Sequence, residues 1–249
     1  MTDLGLHARR AASFHDAAER YDAARPDYPA AATAWMVPEE ATAVLDLGAG
    51  TGKLTAALLA PGRTVHAVDP SSEMLRVLAA KLPAVDARVG SGERIPLPDA
   101  SVDAVTVAQA WHWMEPEAAA AEIERVLRPG GILALVWNND DDRVDWVREL
   151  GGAREAEPRV GPVENERVDV VAGFEPGEAA GWPWTRRMTR DEFIAYESSV
   201  SAFLVASADE QAARIAYLNA VLDRHPEVER SGLIEYPVYT LAFRYRKAG

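Results

Sequence analysis

Residues 43–53 read AVLDLGAGTGK, and this stretch decides the fold. The apolar AVLDL run is typical of a strand that is buried on both faces of a sheet. It is followed by Gly48, Gly50 and Gly52 at alternate positions. Glycine permits positive φ angles and lets a ligand approach the backbone closely. The next segment, LTAALLA, is predicted to be a helix, so the free N–H groups at its start would face the same ligand.

Strand-like and helix-like segments alternate five times between residues 43 and 137. The later strand-like segments are TVHAVD, DARVG, VDAVTVA and ILALVW, and all are short apolar runs. This alternation predicts parallel βαβ units with right-handed crossovers and helices on both faces of the sheet. The final segment, LIEYPVYTLAFRYR, alternates in polarity and is predicted to be a strand that closes the sheet.

Composition limits the classes of function. The chain has 249 residues, of which 48% are hydrophobic, and this suits one domain, or one domain with a substantial insertion. It has no cysteine, which excludes disulfides, thiolate metal sites and cysteine nucleophiles. Its net charge of −13 opposes binding to nucleic-acid phosphates and to anionic lipid. Because neither a signal peptide nor a membrane-spanning run is evident, we expect a soluble cytoplasmic protein without nucleic-acid or membrane partners.

The spacing of the glycine loop distinguishes three kinds of nucleotide site. A phosphate-binding loop needs G-x-x-x-x-G-K-[ST], but its first glycine would fall on Leu47, and Leu54 replaces the hydroxyl residue. A dinucleotide fingerprint needs G-x-G-x-x-G, and its third glycine would fall on Lys53. The spacing present is G-x-G-x-G preceded by Asp46. At the end of the second strand, Asp69 can accept hydrogen bonds from both ribose hydroxyls, can cap the next helix, or can do both.

This spacing, within E/D-x-G-x-G-x-G, resembles class I S-adenosylmethionine-dependent methyltransferases. Two later segments, SGERIPLPDASVD at 91–103 and LRPGG at 127–131, are similar to the family's xAExLPxxDxSFD and LkPGG motifs. The similarity is greatest to the small-molecule group that includes ubiquinone, menaquinone and trans-aconitate methyltransferases. The resemblance implies an α/β fold of the Rossmann-like, doubly wound type, with a mostly parallel seven-stranded sheet, helices on both faces and an antiparallel last strand. It also implies S-adenosyl-L-methionine as the methyl donor and S-adenosyl-L-homocysteine as the product.

The resemblance further assigns the residues that bind the cofactor. Pro70 and Met74 are expected beside the adenine ring, since methionine makes favourable contacts with aromatic rings. Gly92 and Glu93 take the alanine and acid places of the third motif. The expected set is Asp46, Gly48, Ala49, Gly50, Gly52, Asp69, Pro70, Met74, Gly92, Glu93, Ala108 and Gln109, with Tyr21 and Arg25 from the N-terminal segment.

The end of the fourth strand carries the expected catalytic residue. Its sequence, AQAWHW at 108–113, places His112 near the transferable methyl group, where an imidazole suits general-base catalysis at neutral pH. The alternative, that His112 and its neighbours only pack the next helix, stays open. The acids of NNDDD at 138–142 are interpreted as a solvated loop and helix cap, so no metal is expected. Contacts to the substrate are expected from Tyr28, Trp111, Trp113 and Trp137.

The segment FHDAAERYDAARPDYP at 14–29 is similar to a segment F-x-x-x-A-x-x-Y-x-x-x-R-P-x-Y-P that many relatives carry. The resemblance implies a lid in which Arg25 holds the cofactor's carboxylate, Tyr21 contacts its methionine part and Tyr28 faces the substrate. In the alternative interpretation, both tyrosines only pin the segment to the core. We expect a single domain consisting of a helical lid (1–38), a cofactor-binding core (39–137), a substrate-cover insertion with helices (138–230) and a closing strand (231–249).

The expected activity is methyl transfer by in-line displacement to an O, N or C atom of a small organic molecule. Two alternatives remain at this point. A protein of the same fold could bind the cofactor for a regulatory or cyclisation role, or the loop could belong to a nicotinamide dehydrogenase. The missing third glycine of the dinucleotide fingerprint argues against the dehydrogenase.

Overall fold

The computed structural model describes residues 22, 24–151, 173–200, 203 and 205–248. The chain divides into two compact units. The larger unit consists of Asp27–Asn138, Val160–Trp182 and Thr240–Gly249, and the smaller unit consists of Met1–Pro26, Asn139–Arg159 and Pro183–Tyr239.

Strands and helices alternate along the first half of the chain, as the sequence predicts. The elements in this half are α1 (Ala30–Met36), β1 (Ala43–Leu47), α2 (Lys53–Leu58), β2 (Thr64–Asp69), α3 (Ser72–Lys81), β3 (Asp86–Val89), β4 (Val102–Ala108), a 3₁₀ turn (Trp111–Trp113) and α4 (Pro116–Val126). They are followed by β5 (Leu127–Asp140), α5 (Asp145–Gly151), β6 (Glu178–Met188), α6 (Arg190–Glu197), α7 (Ala208–Arg224), a 3₁₀ turn (Pro226–Val228), β7 (Glu229–Arg230) and β8 (Leu233–Arg246).

One sheet contains the strands in the order β3-β2-β1-β4-β5-β8-β6, and the short β7 pairs with β8 beside this path. β1 pairs in parallel with β2 and β4, and the β2–β3 and β4–β5 pairs are also parallel. The last strand, β8, is antiparallel, so the predicted Rossmann-like fold is confirmed. The strand order reverses between β1 and β4, and in open α/β sheets ligands bind at the carboxyl ends of strands at such a point.

The β5 strand begins earlier than the sequence predicts. The apolar run ILALVW was expected to start the strand, yet Leu127 already pairs with Val102 of β4. The register then shifts, and regular pairing resumes between Ala104 and Ile132. The intervening residues form the predicted turn, in which Gly130 has a φ of +71°. The turn therefore lies inside the bounds of the strand as an irregularity of its pairing.

Two apolar clusters of the larger unit hold helices against the sheet. α2 contributes Leu54 and Leu58 to a cluster that includes strand residues such as Val44 and Val136. α3 contributes Leu75 and Leu78 to a second cluster. All of these side chains are buried, and full burial of a leucine stabilises a fold by about 1.5–3 kcal/mol.

The smaller unit has its own aromatic core. The ring of Tyr236 lies 5.4 Å from that of Phe193 and 5.7 Å from those of Trp146 and Tyr196, measured between centroids. Both α6 and α7 begin with a capping box, formed by Thr189 with Glu192 and by Ser207 with Glu210. Such caps satisfy N–H groups that a helix start would otherwise leave unpaired. No helix in the described part of the chain is long and apolar enough to cross a membrane.

Candidate functional site

The glycine loop folds back onto β2 directly after β1. The N–H groups of Gly48 and Ala49 both donate to the carbonyl oxygen of Val68, at 2.8 and 3.1 Å. The N–H of Gly52, the N-cap residue of α2, donates to the carbonyl oxygen of Ala49 at 2.9 Å. The main chain therefore fixes the shape of the loop through its own hydrogen bonds.

Gly48 and Gly50 are glycines for different reasons. Gly48 has a φ of +74°, and a Cβ atom there would lie 2.5 Å from the Cβ of Ala110, just after β4. Gly50 has a φ of +54°, but no atom of the described residues, apart from Gly50 and its chain neighbours, lies within 4 Å of its Cβ position. The first glycine lets the loops after β1 and β4 touch, while the second leaves one face of the loop open.

The carboxylate of Asp69 joins the glycine loop to the end of β2. Its Oδ2 accepts a hydrogen bond from the N–H of Gly50 at 2.8 Å, and its Oδ1 accepts one from the N–H of Ser71 at 2.8 Å. The hydroxyl of Ser71, rather than Asp69, caps α3 by accepting from the N–H of Met74 at 3.2 Å. Both oxygens of Asp69 therefore accept from main-chain N–H groups beside the loop, and the carboxylate is held at the place where β2 ends.

Asp46 lies beneath this loop and is fully buried. Its Oδ2 accepts from the hydroxyl of Thr55 at 2.6 Å, and its Oδ1 from that of Thr106 at 3.4 Å. Burial raises the pKa of Asp46 to about 6, although these two hydroxyls oppose the increase and the charge of Asp69 adds to it. Burial therefore favours the neutral form of a carboxyl that lies directly before the glycine loop.

The loop after β3 approaches the same region. Gly92 is buried, and a Cβ atom there would lie 2.6 Å from the Sδ of Met114. The methyl group of Met114 also lies 3.6 Å from the Cβ position of Gly48. The Oε1 of Glu93 accepts from the N–H of Glu115 at 2.8 Å, at the start of α4. Burial tends to raise the pKa of Glu93, but hydrogen bonds from Glu115 and Ser91 outweigh it and lower the pKa.

The chain leaves β4 through a strained residue. Ala108 packs against the apolar cluster of α2, and Gln109 follows with a φ of +56°, which is uncommon outside glycine. The N–H of Gln109 donates to the carbonyl oxygen of Val136 at 2.9 Å. Its side-chain amide donates to the carbonyl oxygen of Asn138 at 2.8 Å. Both bonds tie the end of β4 to β5.

The predicted catalytic residue lies in the 3₁₀ turn after β4. Trp111 is buried, whereas His112 and Trp113 are half-buried, and the rings of these last two lie 4.7 Å apart between centroids. The turn follows Ala110, which lies against Gly48. The structure therefore brings His112 to the sheet edge that carries the glycine loop.

The other residues of the larger unit differ in their exposure. Met74 is buried at the start of α3, and Pro70 before it is exposed. Tyr28 is half-buried and packs against the apolar cluster of α2. The side chain of Trp137 is 1% exposed and packs edge-on against Phe243, with ring centroids 6.2 Å apart. Its expected contact with a substrate stays a prediction.

Arg25 is described by the structure, whereas Tyr21 is not. Arg25 is part of the smaller unit, where its guanidinium lies 5.8 Å from the centroid of the Tyr196 ring. The guanidinium of Arg186 lies 5.3 Å from the same centroid. Tyr21, and the part of the segment before it, lie outside the described residues.

The acids of the NNDDD run have protein partners. Asp141 pairs with Arg143 at 2.7 Å, and Asp140 accepts a hydrogen bond from the hydroxyl of Tyr196 at 3.4 Å. Within the described ranges, no group of three or more histidine or acidic side chains is arranged to hold a metal ion.

Sequence reasoning missed several residues of the site. Thr55 and Thr106 hold Asp46, Met114 lies between two glycines, and Asn138 receives the side chain of Gln109. Only Thr55 carried a usable signal, because it lies in the first turn of the helix that follows the glycine loop. The others come from distant parts of the sequence.

Comparisons with known proteins agree with this geometry. The sequence profile of the methyltransferase domain family matches residues 45–135. An uncharacterised methyltransferase of Mycobacterium tuberculosis is 44% identical over 232 residues, which cover 93% of this chain and 94% of that protein. An uncharacterised methyltransferase-like protein of Schizosaccharomyces pombe is 37% identical over 236 residues, covering 91% and 92%.

The similarity to the ubiquinone and menaquinone group is partial, since one such enzyme, from Rubrivivax gelatinosus, matches only 38% of this chain. Among solved structures, a candidate type II methyltransferase of Anaeromyxobacter dehalogenans is 26% identical, with a TM-score of 0.56. That similarity covers 90% of this chain and 97% of the other chain. The full-length relatives and the shared fold show that the chain belongs to the class I S-adenosylmethionine-dependent methyltransferases.

Proposed function

We propose that the protein transfers the methyl group of S-adenosylmethionine to an O, N or C atom of a small organic molecule. The observation that carries this proposal is the pairing of Asp69 with the N–H of Gly50, beside the open face of the glycine loop. A carboxylate next to exposed main chain at a strand switch point suits an adenosine group, because it accepts hydrogen bonds from ribose hydroxyls.

The residues around this pair fit the cofactor. Ala49 and Met74 are buried apolar side chains next to the loop, and they suit an adenine ring. The buried hydroxyl of Thr51, within the loop, has no hydrogen-bond partner among the described residues, which suits a site that a polar ligand completes. We assign cofactor contacts to the loop glycines, Asp69, Gly92 and Gln109 on this basis.

The cofactor supplies an activated methyl group, so the chain's main task is to hold the acceptor atom in line with it. We assign the walls of the acceptor site to Trp111, Trp113 and Tyr28, which would exclude water. His112 would accept a proton from an acceptor that must lose one.

Calorimetric titration with S-adenosylmethionine and S-adenosylhomocysteine tests the cofactor assignment. Binding of neither ligand at high micromolar concentration would disprove it. Transfer of a radiolabelled methyl group across a panel of small metabolites tests the reaction. Binding without any transfer would favour a regulatory or cyclisation role instead.

Replacing His112 by alanine separates catalysis from packing. We expect a loss of turnover of roughly 10²–10⁴-fold, the usual contribution of a general base, with nearly unchanged affinity for S-adenosylhomocysteine. Initial rates and calorimetry on the same preparation measure the two quantities. Wild-type turnover in this variant would leave His112 as a packing residue.

A further inference from the structure

Asn138, near the end of β5, connects three distant segments of the larger unit. Its side-chain Nδ2 donates to the carbonyl oxygen of Asp27 at 3.2 Å, and its Oδ1 accepts from the hydroxyl of Thr240 at 2.5 Å. Its main-chain oxygen accepts from the side-chain amide of Gln109 at 2.8 Å. Asn138 is only 7% exposed, so few of these bonds could be replaced by solvent.

The bond from Gln109 supports a strained backbone. A non-glycine residue in the left-handed region costs on the order of 1–3 kcal/mol and persists only where its surroundings determine it. Gln109 is held there by its bonds to Val136 and Asn138. It is followed by Ala110, which lies against Gly48. The position of Asn138 therefore affects the place where the loops after β1 and β4 touch.

The bond to Asp27 connects Asn138 to a segment that contacts the first residue after the glycine loop. The carboxylate of Asp27 lies 3.2 Å from the Nζ of Lys53, the first residue of α2 after the loop. That carboxylate is largely exposed, so the ion pair is weak, and the part-buried bond to Asn138 is the firmer attachment. Tyr28, the next residue, packs against the apolar cluster of α2.

We infer that Asn138 is a positioning residue that holds the Asp27–Tyr28 segment and the Gln109 turn in register with the glycine loop. This inference rests on the proposed function, because the register matters for a ligand bound there. The chemistry requires a carboxamide. The Oδ1 of Asn138 must accept from the hydroxyl of Thr240, while its Nδ2 donates to the main-chain carbonyl oxygen of Asp27. A carboxylate at this position would instead place an acceptor oxygen against that carbonyl oxygen.

The test uses the full chain with Asn138→Asp and, as a matched control, Asn139→Asp, which makes the same change one residue further on. S-adenosylhomocysteine affinity is measured by calorimetry, and hydrogen exchange is followed in residues 24–37 and 105–113. For Asn138→Asp we expect about a tenfold loss of affinity, the scale of a buried hydrogen bond, and faster exchange confined to these two segments. Asn139→Asp should match the wild type in both measurements.

Thr240 provides a second pair of variants in case Asn138→Asp folds poorly. Thr240→Val removes the hydroxyl that orients the carboxamide and should reproduce both effects, whereas Thr240→Ser keeps it and should restore wild-type values. Unchanged affinity and exchange in Asn138→Asp, or faster exchange spread evenly over the chain, would overturn the inference. If the wild type does not bind S-adenosylhomocysteine, the proposed function fails, and the exchange comparison alone decides the role of Asn138.

Discussion

The carboxylate of Asp69 stabilises the fold of the glycine loop as well as forming part of the proposed ribose site. It accepts hydrogen bonds from the N–H groups of Gly50 and Ser71, so its removal loosens the glycine loop as well as the proposed ribose site. The strand pattern in the sequence was enough to predict that Asp69 lies at the end of β2. It could not show that the same carboxylate holds the loop, because that contact depends on how the loop folds back onto β2.

Replacing Asp69 by alanine should weaken S-adenosylhomocysteine binding by roughly 1–3 kcal/mol, since ribose hydroxyls lose a charged acceptor. The free energy of unfolding should also decrease, because two N–H groups lose their partner. Calorimetry and urea unfolding measure the two effects. Asp86→Ala, at the other end of the neighbouring strand, is the control and should leave affinity unchanged. An unchanged dissociation constant in Asp69→Ala would show that the acid is wrongly assigned.

Asp46 should make stability depend on pH in a direction unusual for a carboxylate. Burial raises its pKa from 3.8 to about 6, so the folded protein holds this proton more tightly than the unfolded chain. The neutral carboxyl contributes its full stability below pH 3.8, and that contribution is lost as the pH rises through about 6. In the Asp46→Asn variant the side chain is uncharged at every pH, so it makes no such contribution to the pH dependence.

The gain in stability of Asp46→Asn over the wild type should therefore increase by about 3 kcal/mol between pH 3.5 and pH 7.5. Urea unfolding of both proteins across this range measures it. Asp209→Asn, at an exposed position of α7, is the matched control. A constant difference between Asp46→Asn and the wild type would mean that the hydrogen bonds from Thr55 and Thr106 offset the effect of burial and leave the pKa of Asp46 unshifted on folding.

Among the elements, the glycine loop was the most predictable. Its glycine spacing, the apolar strand before it and the helix after it are local features, and the structure reproduces all three. The contacts around it were less predictable. Met114 and Asn138 lie far from the loop in sequence, and no local pattern indicates which side chains fill the space left by Gly48 and Gly92.

Alanine at Gly48 and at Gly50 should have opposite main effects. Both positions have positive φ angles, which cost a non-glycine residue about 1–2 kcal/mol. Gly48→Ala additionally forces its Cβ to 2.5 Å from Ala110, so it should reduce the free energy of unfolding more than Gly50→Ala. Gly50→Ala places a methyl group in open space and should instead weaken S-adenosylhomocysteine binding more. Equal losses in both measurements would contradict this division.

At the scale of the whole molecule, the parallel order of the first five strands and the antiparallel closing strand followed from the alternation of segments and the family resemblance. The division of the chain into two compact units could not be predicted from either of these features. In the smaller unit, residues from two separate parts of the chain, 144–150 and 184–238, pack around Trp146, Phe193 and Tyr236. Aromatic residues at helical spacing indicate a core in general terms, but they do not show which distant segments share it.

We propose that Arg25 binds the carboxylate of the cofactor, as the resemblance of residues 14–29 implies. Arg25→Ala should weaken S-adenosylhomocysteine binding by about tenfold through loss of a charge-assisted bond. It should leave binding of 5′-methylthioadenosine unchanged, because that ligand lacks the amino-acid group. Arg186→Ala, which removes the other guanidinium from the Tyr196 ring, is the matched control. Equal weakening of both ligands in Arg25→Ala would contradict the assignment.

The strands β5, β6 and β8 each begin in one unit and end in the other, with unit boundaries after Asn138, Trp182 and Tyr239. A recombination event at any of these boundaries would join two halves of a strand from different parents. Such hybrids must match in strand register as well as in sequence, since a slip of one residue turns every side chain to the opposite face. Variation that changes substrate preference in this lineage should therefore accumulate by point substitution, and exchange of whole modules should be rare.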